Sequence, residues 1–258
     1  MQRDDRNLNM VRNILVTLSY DGSNYHGWQV QKNALSVQEV FQNSLEKVIK
    51  EKVDIKGCSR TDTGVHANMY TVSFQTHSKI NPDNLIFALN RFLPNDIVVS
   101  SCKKVPMDFH ARYSSIGKEY VYKIWNHKIR NPFLNKRVLH YWYPLDVDIL
   151  NEAASLLVGT HDFTSFATLD KRETKNMIRT VEYFNVHKND SMIEMKVMAD
   201  GFLYNMVRIM VGTLLRVSQE KIKKEDISYI IKSKNRKNAG PTAPAHGLYL
   251  NRVFYENF

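Results

Sequence analysis

The first half of the chain alternates between two hydrophobic periods, one typical of strands and one typical of helices. Short stretches with β-branched or alternating apolar residues predict strands, and apolar residues spaced three and four apart predict helices. The predicted strands are Asn13–Ser19, Val53–Lys56, Tyr70–Gln75 and Ile97–Val105, and the predicted helices are Ser36–Lys50 and Asn84–Phe92. Residues 11–112 therefore follow the order β-α-β-β-α-β.

The second half, residues 113–258, repeats this order without obvious sequence similarity to the first. Its predicted strands are Tyr120–Trp125, Arg179–His187, Ser191–Ala199 and Leu248–Val253, and its predicted helices are Asp148–Leu157, Phe202–Val217 and, as an addition, Lys224–Lys232. The chain is thus predicted to hold two split β-α-β units.

Two such units predict an α+β fold in which ferredoxin-like halves form one extended, mainly antiparallel sheet. Helices would cover one face and leave the other free for a large ligand. A central cleft where the halves meet is the expected place for chemistry. Residues 1–10 are charged, and we expect them to form a loose N-terminal tail.

Charge and cysteine content narrow the class of protein. Lysine and arginine total 36 against 26 acidic residues, a formal charge of +10. This excess favours a polyanionic partner such as nucleic acid, although a lysine-rich solvated surface explains it equally well. Cys58 and Cys102 are the only cysteines, which argues against a disulfide framework and for a reducing, cytoplasmic location. No apolar run is long enough to predict a membrane span.

The densest group of chemically capable residues is the polar loop Gly57–Ala67, with the sequence GCSRTDTGVHA, between two predicted strands. Loops held by strands often carry catalytic groups. Arg60 and Asp62 lie two residues apart and would project to the same side of an extended segment. The alternative is an Asx turn in which Asp62 only caps backbone amides.

The loop sequence Arg-Thr-Asp-Thr-Gly-Val-His closely resembles the Arg-Thr-Asp-x-Gly-Val-His loop of the TruA family of tRNA pseudouridine synthases. Further blocks resemble the same family in its order and spacing, and together they cover residues 11 to 254. They are Tyr20–Gln29, Asp108–Arg112, Lys118–Tyr122, Asp162–Phe166, Phe202–Gly212 and Gly247–Leu250. The departures at Cys58, Ser59 and Thr63 remove no catalytic group.

The resemblance implies a role for four residues. Asp62 matches the family's catalytic aspartate, and Arg208 matches the arginine that pairs with it. Tyr120 matches the tyrosine that packs against the target base, and Arg60 matches an arginine that helps to hold the nucleotide outside its helix. The resemblance also implies a homodimer that converts uridine to pseudouridine at positions 38–40 of the tRNA anticodon arm.

Two other functions stay open at this point. A paralogue could share these blocks and modify another structured RNA, such as ribosomal RNA, and a non-catalytic RNA-binding or RNA-folding module could retain the scaffold. Isomerising uridine involves no net redox change and no lost group, so we expect neither cofactor nor metal. The carboxylate could attack the sugar, attack the base or remove a sugar proton.

Three further features also have alternative interpretations. Arg208 lies in an otherwise apolar predicted helix, so it either has a buried partner or reaches solvent along its stem. Cys58 and His66 could form a thiol–imidazole pair, but a small buried cysteine is commoner. Basic residues, taken together as one region, are either part of an RNA-binding face or solvated surface. They lie in Lys103–Lys104, Lys118–Arg137, Lys171–Arg179 and Lys221–Lys237, interleaved with Tyr122, Trp125, Tyr141 and Trp142.

Overall fold

The computed structural model describes residues 11–168 and 176–256, so the predicted tail at 1–10 lies outside the described residues. The chain packs as two compact units. The first extends to Ile116 and includes the chain again from Val253, and the second comprises Gly117–Arg252.

The first unit places two helices against an antiparallel sheet. Strands β1 and β3 pair with each other, β1 also pairs with β4, and the short β2 pairs with β3. Helix α2 packs along β4, and α1 packs against α2. The elements are β1 (Arg12–Tyr20), α1 (Val37–Ile49), β2 (Lys56–Gly57), β3 (His66–Thr76), α2 (Pro82–Phe92) and β4 (Ile97–Val105).

The hydrophobic core of this unit follows from the two-residue alternation of its strands. Ile14, Val16 and Leu18 of β1 are fully buried and lie opposite Phe74, Val72 and Tyr70 of β3. The helices contribute apolar residues at a spacing of four, Phe41 and Leu45 from α1 and Leu85 and Leu89 from α2. Side-chain caps from Ser36 and Asn81 fix where these helices begin.

Residues 106–114 cover part of the opposite face of this sheet, where Asn13 and Ser73 supply polar contacts. Asn13 Nδ2 donates to the carbonyls of Pro106 and Phe109 at 2.9 and 2.8 Å, and the Ala111 amide donates to Ser73 Oγ at 3.0 Å. The polar side chains thus satisfy the backbone of an irregular segment. The expectation of a free face is therefore wrong for this part of the first unit.

The second unit also joins helices to a mainly antiparallel sheet. Strand β9 pairs with β5 and β8, β8 pairs with β7, and β6 runs parallel to the end of β5. The elements are β5 (Ser115–Trp125), β6 (Leu139–His140), α3 (Val147–Ser155), β7 (Gly159–Asp162), β8 (Ile178–Asn189), β9 (Met192–Ala199), α4 (Met206–Ser218), α5 (Asp226–Ser233) and β10 (Leu248–Tyr255). Strand β5 begins in the first unit, and β10 ends there.

Helix α4 is the main core element of the second unit. It packs against α3, which in turn lies along β8. Ten of its thirteen residues are buried, and Arg208 is not among them. The helix begins at Met206 rather than at the predicted Phe202, because Asn205 adopts a left-handed conformation with φ of 62° that interrupts helical geometry.

The prediction of an α+β fold with mainly antiparallel strands is confirmed. The predicted cleft between the halves stays a prediction. Within the described ranges, no helix combines the length and the apolar character needed to cross a membrane.

Candidate active site

The loop that carries Asp62 leaves β2 at Gly57 and enters β3 at His66, so both of its ends are fixed in the sheet of the first unit. At the first end, the Cys58 amide donates to the Thr71 carbonyl at 3.0 Å. Inside the loop, the Val65 amide donates to the Asp62 carbonyl at 3.1 Å and closes a turn. Asp62 therefore lies at the start of a defined turn.

The segment Tyr20–Gln29 packs along this loop and holds it through backbone hydrogen bonds. The Trp28 amide donates to the Thr61 carbonyl, and the Gly64 amide donates to the Tyr25 carbonyl, each at 3.2 Å. Gly27, at φ +80°, makes this approach possible: a Cβ there would lie 2.2 Å from the Thr61 carbonyl oxygen. Thr61, directly before Asp62, and Gly64, two residues after it, are thus held by the same segment.

Three buried aromatic residues support the loop from within the core. The rings of Trp28 and Tyr70 stack with centroids 4.0 Å apart, and Tyr20 lies 5.8 Å from Tyr70. The two tyrosines also serve the loop directly: the Tyr20 hydroxyl hydrogen-bonds Thr61 Oγ1 at 2.9 Å, and the Tyr70 hydroxyl donates to the Ser59 carbonyl. Stacking and hydrogen bonding together make this part of the loop rigid.

The side chains along the loop alternate between core and surface. Thr61 is buried against Tyr20, whereas Arg60 is exposed and Asp62 is half-buried. This is the alternation expected of extended backbone, in which residues on either side of an inward side chain point outward.

Tyr25 fixes the far side of the same segment. Its hydroxyl donates to Asp96 Oδ1 at 2.6 Å. Burial, followed by the hydrogen bond to Asp96, raises the pKa of Tyr25 well above its usual value. The phenol is therefore neutral at physiological pH and remains a donor to Asp96. This bond holds the Tyr20–Gln29 segment in place, and the Tyr25 carbonyl of that segment accepts from the Gly64 amide.

Cys58 and His66 have separate structural contacts. Cys58 is fully buried, and its Sγ accepts a hydrogen bond from the Thr71 amide at 3.5 Å. His66 is 1% exposed, and its Nδ1 accepts from the Gly22 amide at 3.0 Å. A thiol without solvent access favours the structural interpretation of Cys58 over a nucleophile.

Tyr120 lies in the second unit, in the middle of β5 opposite Val197 of β9. It is 6% exposed, and its ring makes an edge-to-face contact with Phe202 at a centroid distance of 5.1 Å. The strand and the Phe202 ring together fix the orientation of the tyrosine.

Arg208 lies in the first turn of α4 in the same unit, where its guanidinium has two defined acceptors. Nε donates to the Ala243 carbonyl at 2.7 Å, and Nη1 donates to Asn205 Oδ1 at 2.9 Å. Asn205 is itself held, because its Nδ2 donates to Thr168 Oγ1 at 3.0 Å. Two bonds from different nitrogens fix the plane of a planar guanidinium, so the arginine is oriented as well as half-buried.

The segment that supplies the Ala243 carbonyl is docked tightly on α4. The Gly240 amide donates to Thr213 Oγ1 at 2.9 Å, and a Cβ on Gly212 would lie 1.7 Å from the Pro241 carbonyl oxygen. Beyond it, the Tyr122 hydroxyl donates to the Pro244 carbonyl at 2.8 Å. Burial raises the pKa of Tyr122, an effect that Arg208 partly opposes, so this phenol also stays a donor.

The structure thus places Arg60 and Asp62 on one supported loop of the first unit, and Tyr120 and Arg208 on β5 and α4 of the second. Sequence reasoning missed three supporting residues, Trp28, Tyr70 and Asn205. Of these three, Asn205 had the clearest signal in the sequence, because asparagine favours both helix N-termini and the left-handed conformation.

A metal centre built by the protein would require several ligating side chains close together. Across residues 11–168 and 176–256, histidine, cysteine, aspartate and glutamate side chains form no group of three or more that could hold a metal ion.

Comparisons with known proteins identify the family. A family model described as tRNA pseudouridine synthase matches residues 16–114 and 153–256. The chain is 48% identical over 245 residues to a tRNA pseudouridine synthase A of Thermoanaerobacter pseudethanolicus, 45% identical to that of Acetivibrio thermocellus, and 44% identical to that of Clostridium acetobutylicum. Each comparison covers 95% of this chain and 100% of the relative. The chain belongs to the tRNA pseudouridine synthase family.

Proposed function

We propose that this protein isomerises uridine to pseudouridine in tRNA, with Asp62 as the catalytic carboxylate. The observation that carries the proposal is the full-length similarity to enzymes named tRNA pseudouridine synthase A. The backbone hydrogen bonds from the Tyr20–Gln29 segment to the loop that carries Asp62 support it. Names that specify tRNA favour this substrate over ribosomal RNA.

The reaction defines what the site must supply. The C1′–N1 bond of uridine breaks and a C1′–C5 bond forms, while N1 gains a proton and the C5 proton leaves to solvent. Atoms and electrons balance without an oxidant or another co-reactant. The protein must therefore position a nucleotide and a charged carboxylate, and must exchange protons.

Asp62 is well placed for this task because the loop limits its movement. The backbone of Thr61 is fixed to Trp28, and its side chain is fixed to Tyr20, directly before the aspartate. A catalytic group held in this way loses little conformational entropy when the substrate binds. The carboxylate is ionised in each of the three chemical routes open to it.

Arg208 would serve as the partner of Asp62 in the assembled site. Its bonds to Ala243 and Asn205 hold the guanidinium in one orientation, which suits a directed charge-assisted contact with a carboxylate. Such a cation favours the ionised acid when water is excluded. We propose this pairing from the family resemblance and from the ordered guanidinium.

Tyr120 and Arg60 would bind the substrate. Turning a nucleotide out of its helix costs a few kcal/mol, which stacking on an aromatic ring and contacts with phosphate help to offset. Tyr120 supplies an oriented ring, and the exposed Arg60 supplies a cation two residues from Asp62.

Three finer points are also proposed from the family resemblance. The target uridines are positions 38–40 of the anticodon arm, the active form is a homodimer, and the protein works in the cytoplasm. The low cysteine content supports the last point. Light scattering of the purified protein at micromolar concentration would test the dimer.

The proposal is tested by mapping pseudouridines in total RNA from cells with and without the gene, and in an unmodified tRNA transcript treated with the purified protein. We expect pseudouridine at positions 38–40 of tRNA to depend on the protein. Loss confined to ribosomal RNA would refute the tRNA assignment, and an unchanged pseudouridine map would refute the enzymatic function.

A further inference from the structure

The second unit carries an exposed surface in which aromatic and basic residues are combined. We define the aromatic-basic surface as Lys128, Ile129, Arg130, Trp142 and Tyr143. Trp142 is 58% exposed and Tyr143 is 45% exposed, although large aromatic side chains are usually more deeply buried. Their rings lie 3.9 Å apart at an interplanar angle of 30°, so they form a paired platform.

A network of hydrogen bonds makes the backbone beneath this platform rigid. Asn126 Nδ2 donates to the carbonyls of Tyr141 and Tyr143 at 2.9 and 2.6 Å, and the Tyr141 amide donates to the Trp125 carbonyl at 2.9 Å. These bonds connect the end of β5 to the chain that follows β6. The Trp142 and Tyr143 side chains therefore extend from rigid backbone.

The same network joins the stretch that carries the basic residues to the backbone beneath the platform. Trp125 Nε1 donates to the Ile129 carbonyl at 2.9 Å, and His140 Nε2 lies 2.8 Å from the His127 carbonyl. The stretch from 127 to 130 is thus tied to the strand that leads into Trp142. Lys128 and Arg130 are both exposed.

The charge of this part of the chain has one sign. Between Tyr120 and Leu145 there are five lysine or arginine residues, two histidines and no acidic residue. Elsewhere the chain mixes both signs, since its 26 acidic residues all lie outside this stretch. Lys123, one of these five cations, pairs with Glu194 of β9 at 3.8 Å, whereas Lys128 and Arg130 are exposed on the stretch joined to the platform. Exposed cations combined with exposed aromatic rings are typical of surfaces that bind single-stranded nucleic acid.

We propose that the aromatic-basic surface is a second RNA contact, in which Trp142 and Tyr143 stack on unpaired bases while Lys128 and Arg130 contact the backbone phosphates. The inference rests on the proposed function and adds a binding surface separate from Asp62, Arg208, Tyr120 and Arg60. It gives the enzyme a means of recognising an RNA loop in addition to the target nucleotide.

Charge favours RNA over a second copy of the chain as the partner. A symmetric contact centred on this surface would bring the Lys128 and Arg130 cations of both copies into one interface, and the stretch from Tyr120 to Leu145 has no acidic residue to pair with them. Like charges in that arrangement oppose association. RNA instead offers phosphates for the cations and base faces for the rings.

The test uses the full-length protein and an unmodified tRNA transcript with uridine at positions 38–40. One variant combines Trp142→Ala with Tyr143→Ala, and a second combines Lys128→Ala with Arg130→Ala. The aromatic control is Tyr229→Ala, since Tyr229 is 65% exposed on α5. The charge control combines Lys79→Ala with Arg91→Ala, which removes one lysine and one arginine from exposed positions in the first unit.

We expect the aromatic variant to bind tRNA about ten- to a hundredfold more weakly, because stacking accounts for a large share of affinity for unpaired bases. In the basic variant, the slope of log K against log salt should fall by about 1.5, as expected for two lost phosphate contacts. The single-turnover rate at saturating tRNA should be unchanged in both. The two controls should bind tRNA as the wild-type protein does.

Other results would overturn the inference. Unchanged affinity in both variants, or an equal loss in the controls, would show that the surface makes no specific RNA contact. A smaller oligomer in the aromatic variant, measured by light scattering, would assign the surface to a contact between copies. If the wild-type protein forms no pseudouridine in tRNA, the proposed function itself fails, whereas an active wild-type protein with unaffected variants refutes only this surface.

Discussion

Replacing Asn205 with glycine tests whether the orientation of Arg208 matters for catalysis. Asn205 is the residue before α4, and its Oδ1 accepts from Arg208 Nη1 at 2.9 Å. Glycine removes this acceptor but adopts the φ of 62° without steric cost. The substitution therefore removes the side-chain contact while preserving the backbone turn that begins the helix.

The expected magnitude follows from the bond that is lost. A hydrogen bond to a charged group contributes about 1.5–3 kcal/mol, and partial exposure of Asn205 and Arg208 places this one near the lower value. About 1.4 kcal/mol corresponds to a factor of ten in rate, so we expect kcat to fall about tenfold. Relief of roughly 1 kcal/mol of left-handed backbone strain should keep the stability close to that of the wild type.

Asn205→Ala is the matched control, because it loses the same acceptor and keeps the strained φ. We expect it to show the same loss of kcat together with a free energy of unfolding lower by about 2 kcal/mol. The assay is single-turnover release of tritium from tRNA that contains 5-tritiated uridine, with urea unfolding measured in parallel. A glycine variant that is folded and within twofold of the wild-type rate would refute the positioning role of Asn205.

Three further predictions address other parts of the structure. Trp28→Ala should lower the free energy of unfolding by about 3–5 kcal/mol and abolish activity, because it removes the ring stacked on Tyr70. Urea denaturation measures this change, and a loss below about 1 kcal/mol would contradict the supporting role of the ring. Burial and the hydrogen bond to Glu119 raise the pKa of Tyr183 to about 12, so the stability that it contributes is present below pH 10 and is lost between about pH 10 and 12. Urea midpoints measured from pH 8.5 to 11 should fall for the wild type and fall less steeply for Tyr183→Phe, and equal slopes would contradict this assignment. Arg208→Met should fold normally and reduce kcat about a hundredfold or more, and unchanged turnover would exclude the proposed partnership with Asp62.

Elements with a clear period were predictable from the sequence. The predicted strand Ile97–Val105 has the same bounds as β4, and the predicted helix Ser36–Lys50 differs from α1 by one residue at each end. Ser36 explains this agreement, since it offers a capping side chain directly before an apolar repeat. Local sequence and tertiary packing favour the same structure in these segments.

The misjudged elements depend on contacts that local sequence does not encode. The apolar run predicts that helix α4 begins at Phe202, but Asn205 turns the chain into a left-handed conformation first. Strand β7 has only four residues and exists through its pairing with β8. The segment at 106–114 covers a sheet face through hydrogen bonds to Asn13 and Ser73, which lie far from it in the sequence.

The catalytic groups of the site were predictable from the sequence, whereas the residues that hold these groups in position were not. The polar, glycine-bracketed loop indicated Asp62 and Arg60, and the family resemblance supplied Arg208 and Tyr120. The stacking of Trp28 on Tyr70 joins residues 42 positions apart, and the Ala243 carbonyl reaches Arg208 through a backbone oxygen that every residue possesses. Long-range packing and backbone acceptors leave no local pattern to detect.

The central claim is that the Asp62 carboxylate converts uridine to pseudouridine in tRNA, and Asp62→Asn tests it most directly. The variant keeps the size of the side chain and removes its charge, and Asp54→Asn, at an exposed carboxylate of the same unit, is the control. With tRNA saturating in a single-turnover tritium-release assay, we predict no detectable pseudouridine from Asp62→Asn, wild-type rates from the control, and a tRNA dissociation constant within about threefold of wild type for both. Appreciable pseudouridine formation by Asp62→Asn would contradict the account.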